Sequence, residues 1–186
     1  MRVTILTTTL LAVTVPFADA FPRTYGPTPA FKDSWISVAP GQSAKTHGTE
    51  LVLKASTEKF ALLGFTLPSE VTQAPNRLLN CKLTLPPFNT PVAPLSLTLQ
   101  AAVANVWNEI SVNGKNRPGV LGDKVTFYVN DTRKPIRIDT TKLCKTAAAK
   151  GTGFSLYISS LRAPYEFKSR ETGKGATLVA TADVWG

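Results

Sequence analysis

The sequence predicts an all-β protein, an antiparallel β-sandwich of jelly-roll type with one short helix. Three observations carry that prediction. About ten short segments alternate apolar and polar residues with the period of a half-buried strand. Its 14 prolines and 12 glycines fall largely between those segments, as turn and loop punctuation. Only residues 141–150 have both the composition and the ends of a helix. No repeat of solenoid or propeller length is present.

The beginning of the chain reads as a targeting segment. Met1 to Val15 is a short basic start followed by a threonine-diluted apolar run, and Ala18 and Ala20 supply small residues for cleavage. Residues 1–20 are therefore expected to be a signal peptide, and no later segment approaches the length of a membrane span. Residues 21–32 contain Pro22, Pro27, Pro29 and Gly26, which predicts an extended leader rather than an element. One domain is expected over residues 33–186.

Within it, strands are predicted at 34–38, 50–55 and 60–67. Residues 60–67 are apolar on both faces, so this strand is expected to lie between a sheet partner layer and a covering loop. Leu79, Cys81, Leu83 and Leu85 share one face of a strand over 78–85. Residues 86–94 carry four prolines and cannot pair as strand. The cleanest alternation, Leu95, Leu97, Leu99, Ala101 and Val103, follows. An Asn- and Gly-rich loop over 106–119 opens with Trp107, and two more strands are expected at 123–130 and 134–139. Asp139 or Thr140 caps the helix, Gly151 ends it, and Leu143, Cys144 and Ala147 form its buried side. The last part of the chain reads as strands at 153–159 and 176–182, with 168–175 as a charged hairpin tip between them.

Charge and cysteine content narrow the function classes. With 21 Lys and Arg against 12 Asp and Glu, the net charge is +9, which favours polyanionic partners. For a secreted chain an acidic polysaccharide or cell-wall glycan suits that charge better than nucleic acid, and Arg133-Lys134 is the only adjacent basic pair. Cys81 and Cys144 are expected to form one disulfide closing a long loop. Asn130 begins a glycosylation sequon with Asp131 and Thr132.

Catalysis is not predicted. The single histidine, His47, lies in a polar loop without a nucleophile motif, and the cysteine pair removes a thiol nucleophile. A hydrolytic carboxylate pair drawn from Glu109, Asp123, Asp139, Glu166 and Glu171 is the weakest alternative. Binding is better supported. Trp107, Arg117, Arg133, Tyr165, Lys168 and Arg170, with Tyr128 and Trp35, offer rings for stacking on sugars and cations for carboxylates. Trp107 has two readings, a stacking platform or a plug at one end of the core. No cofactor is required, but Asp33 and Glu171 are candidate ligands for a structural calcium ion. Asp33 is also a partner for the turn 169–171, which would join the first strand to the last.

Several of these segments resemble a known family. Asp33 to Ser37, His47-Gly48-Thr49, and Ala61 to Pro68 are similar to the opening of the DNRLRE-type domains grouped as carbohydrate-binding module family 96. Val106-Trp107-Asn108-Glu109 and Asn116-Arg117-Pro118 resemble its central landmarks, although Val112-Asn113 stands where a second tryptophan is usual. Ile138-Asp139-Thr140, Gly153 to Leu156, and Phe167 to Glu171 complete the order, from about Asp33 to Thr181. The resemblance implies a secreted jelly-roll module that binds polysaccharide without catalysis, with acidic polymers such as alginate among the ligand classes. A free, monomeric module is the first expectation. The alternative is a structural or host-interaction protein that uses the same scaffold without binding glycan.

Overall fold

In the computed structural model the described residues are 20–88, 94–104, 106–151 and 153–185. The signal-peptide expectation lies outside them, apart from Ala20. The strands are β1 (Ala20–Pro29), β2 (Lys32–Ser37), β3 (Val52–Ala55), β4 (Lys59–Phe65), β5 (Leu78–Leu85), β6 (Leu95–Ala102), β7 (Val120–Val129), β8 (Ile136–Asp139), β9 (Phe154–Ser160), β10 (Tyr165–Lys168) and β11 (Thr177–Trp185). A single helical turn, α1 (Ser69–Gln73), precedes β5, and the helix α2 (Thr141–Ala148) follows β8.

The strands form an all-β sandwich. One sheet has the order β1-β11-β5-β8, the other β2-β4-β9-β6-β7, and β10 pairs with β3 separately. All of these pairs are antiparallel. Alternation decides the faces. Leu83, Leu85 and Leu178 from the first sheet pack against Leu63, Leu97, Leu156 and Ile158 from the second, all within one buried core. On β4 the other face is buried too, because segment 106–119 lies across it as a strap. Leu62, Ile36, Tyr157, Trp107 and Val112 form a second small core there, as the two-sided apolarity of the strand predicts. The strap is internally braced: Asn113 accepts the amide of Lys115, and Asn116 donates to the carbonyl of Ser111.

The helix is tied to β5 by more than its apolar side. Cys81 and Cys144 are disulfide-bonded across 63 residues, Thr140 Oγ1 donates to the Cys81 carbonyl, and the Cys81 amide donates to Thr141 Oγ1. Asp139 Oδ1 accepts the Thr141 amide and so satisfies one of the orphan donors of the first turn.

Two expectations are corrected. Residues 21–32 are not a leader outside the sheets, since 20–29 form the edge strand β1 on β11 and Lys32 already begins β2. An edge strand offers only half its amides to its partner, so the prolines are tolerated. The register shifts between Tyr25 and Thr28, where Gly26 has φ +99 and lies against the Leu178 carbonyl. Residues 168–175 are not the tip of a hairpin between neighbouring strands. β9 and β11 belong to different sheets, and the intervening chain crosses between them by way of β10, paired to β3.

Candidate functional site

Two places concentrate polar chemistry, and the first is a closure. Asp33 on β2 is buried, and its Oδ2 accepts the Arg170 amide at 2.7 Å. The Arg170 guanidinium grips Glu109 with both oxygens, Nε to Oε1 at 2.8 Å and Nη2 to Oε2 at 2.6 Å. It also lies 3.1 Å from Glu171 Oε1. Glu109 Oε1 accepts the Asp33 amide at 2.6 Å as well, so one carboxylate on the strap holds the first strand and the last turn together. Gly48 makes this approach possible, for a Cβ there would collide with the Glu109 carbonyl.

Burial is the main cause that pushes the Asp33 carboxyl up to about 7; the Arg170 amide opposes it, and Glu171 and Glu109 add to it. A carboxyl whose folded value is raised gives stability that is whole below its ordinary value and is lost as pH climbs through the folded one. In chelator, Tm is therefore expected to fall between about pH 5 and about pH 8, and Asp33→Asn to flatten that slope. A wild-type Tm that rises with pH over this window contradicts the assignment.

The second place is a groove on the outer face of the five-stranded sheet, where the strap ends. Register places Leu62, Tyr157 and Gln100 in one row across β4, β9 and β6. The strap covers the Leu62 side. Beyond it Phe60, Gln100, Tyr157, Arg117, Pro118, Val120 and Lys124 line a depression of about 370 Å³. Tyr157 donates its hydroxyl to the Pro118 carbonyl at 2.8 Å, and burial holds this phenol far above its ordinary value, so it stays a neutral strut. Phe60 meets Tyr157 edge-on at 6.2 Å, and the Arg117 guanidinium lies 6.0 Å from the Phe60 ring centre. The same face continues through Thr98, Thr126 and Ser159 to Tyr128, which is 68% exposed.

The other sheet turns a different surface to solvent. Its outer positions include Thr24, Thr181, Thr84 and Lys82, paired across β1, β11 and β5, with no aromatic among the described side chains.

Of the six residues expected to bind sugar, Arg117 alone lines this groove. Trp107 is the plug rather than the platform: it is 6% exposed, its Nε1 donates to Ser155 Oγ at 3.0 Å, and Lys32 Nζ sits 4.2 Å from its ring centre. Tyr165 is a core residue, stacked between Phe88 and Phe167 with its hydroxyl donating to Pro86. Arg133 is exposed and paired to Asp131. Lys168 shares a smaller basic depression with Lys174, Pro86, Pro87 and Phe88. Arg170 is committed to the closure. Trp35 is buried under His47, with ring centres 3.4 Å apart. Asn130 stands exposed just after β7, while Thr132 of its sequon is buried. Phe60, Gln100, Tyr157 and Lys124 were missed; their signal was the outward half of each strand's alternation.

The described strands thus form an antiparallel sandwich with a groove on one sheet face. The model of carbohydrate-binding module family 96 matches residues 26–182, and the chain belongs to that family. It is also 32% identical over 119 residues to an uncharacterized secreted protein of Arthroderma benhamiae, an alignment covering 63% of this chain and 58% of the fungal protein. No helix among the described residues is long and apolar enough to cross a membrane.

Proposed function

We propose that this chain is a secreted, non-catalytic module that binds an acidic polysaccharide in the groove of its five-stranded sheet. The observation that carries the reading is the pairing of Arg117 and Lys124 with the partly exposed ring of Phe60, which the buried Tyr157 props from below. A sugar ring packs on Phe60 while the cations donate to its carboxylates, and the net charge of +9 draws polyanions toward the surface. Secretion is supported by the fungal relative.

Among the described residues no carboxylate lines the groove. The strap carboxylate Glu109 is held by Arg170 rather than placed beside a second acid across a sugar site. The groove is therefore read as a place for holding a chain, not cutting it.

The test is titration with alginate and polygalacturonate beside neutral glucans and chitin. Retention by the acidic polymers is expected, falling steeply as salt rises. Arg117→Ala with Lys124→Ala is expected to weaken it about tenfold or more, with Tm unchanged. Equal binding of neutral polymers, or full binding by the double variant, sinks the proposal. New reducing ends or unsaturated products would overturn the non-catalytic part.

A further inference from the structure

We infer that the closure around Asp33 is a divalent-cation site selective for calcium, and this does not rest on the glycan reading. Asp33, Glu109 and Glu171 bring one carboxylate oxygen each to within 4.8 Å of one another. Three carboxylates meet a single guanidinium there. Arg170 saturates Glu109 and reaches one oxygen of Glu171, so its charge answers only part of theirs.

The independent observation is Asp33 Oδ1. Asp33 is 1% exposed; Oδ2 is satisfied by the Arg170 amide, yet Oδ1 is buried with no hydrogen-bond partner among the described residues. A buried carboxylate oxygen left bare in a cluster of like charge is costly unless something positive reaches it. Ser169 Oγ, one residue before that amide, is a second buried oxygen without a partner among the described residues.

The donors are all hard oxygens, which selects calcium or magnesium over zinc or copper. Calcium accepts six to eight such ligands in irregular geometry, whereas magnesium demands an octahedron. Asp33 and Ser169 lie inside and Glu171 at the exposed rim, so protein oxygens are available on one side and water on the other. That one-sided, irregular set suits calcium. Asp33 and Glu171 are the principal ligands, while Glu109 contributes mainly charge because both of its oxygens already bind Arg170.

The test uses the full chain stripped with EDTA, at neutral pH and matched ionic strength. Millimolar calcium is expected to raise Tm by about 3 to 5 °C once it exceeds its Kd tenfold, with magnesium giving a smaller shift. Terbium should show luminescence sensitised by Trp35 and Trp107, each two residues from a carboxylate of the cluster, and calcium should displace it. Glu171→Gln, at the rim, is expected to keep the metal-free Tm and lower calcium affinity about tenfold. Asp33→Asn should abolish the shift. Equal Tm in calcium and EDTA without terbium luminescence would falsify the site. Equal shifts from calcium and magnesium, or an undiminished shift in Glu171→Gln, would overturn the assignment to calcium at these ligands.

Discussion

Replacing both Cys81 and Cys144 with alanine is expected to lower the free energy of unfolding by about 4 kcal/mol in the chain-entropy account of a disulfide. The loop it closes spans 63 residues and contains the end of β5, all of β6, β7 and β8, and the start of α2. Without the link the unfolded chain regains that freedom, and the native helix must hold to β5 through Leu143, Ala147 and the Thr140 and Thr141 hydrogen bonds. Urea unfolding at unchanged slope is the measurement. A loss below about 1 kcal/mol would mean that those contacts hold the helix unaided and that the disulfide adds little. Alanine is preferred to serine because both positions are fully buried and a hydroxyl there would need a partner.

Glu109→Ala is expected to cost about 3 kcal/mol. The change leaves the Asp33 amide without its acceptor and the Arg170 guanidinium with Glu171 in place of a two-oxygen grip, and both are shielded from full solvation. Arg170 keeps partial exposure, 37% of its side chain, so solvent recovers some of the loss. The pair should reveal itself in a double-mutant cycle: Glu109→Ala and Arg170→Ala together are expected to cost much less than the sum of the single changes. The effect should also reach the groove. Arg117 and Pro118 lie at the far end of the strap that Glu109 pins, and Pro118 receives the Tyr157 hydroxyl. Weakened acidic-polysaccharide binding with faster amide exchange over 106–119 is the expected signature. Additive single effects would show that the two residues act apart.

Much of this architecture was legible in local pattern. The alternation of Cys81, Leu83 and Leu85 identified β5, Leu78–Leu85. It wrongly placed Leu79 on their face: a register shift at the start of the strand turns Leu79 to solvent and buries Leu78. The buried side of α2 followed from its apolar positions. The pairing of Cys81 with Cys144 and the meeting of Asp33 with the Arg170 turn were also readable. Edge and crossover strands were not. Prolines concealed β1, because their missing donors matter only on the side that faces β11. The partner of β10 was hidden because alternation specifies a face and says nothing about which strand supplies the hydrogen bonds.

The candidate site divides along the same line. Arg117 and Tyr128 were legible as a cation and a ring beside loops, whereas Trp107 and Tyr165 looked equally available and are buried. By itself the sequence determined the fold class, the family to which it bears a resemblance, the excess of positive charge and which residues alternate along each strand. Those are properties of composition and of contacts a few residues apart. Only the tertiary structure decided which sheet face the strap covers, and hence that Phe60, Gln100, Tyr157 and Lys124 line a groove while Trp107 is sealed beneath the chain. That choice depends on contacts such as Glu109 with Arg170, made across 61 residues of sequence, and no local period encodes them.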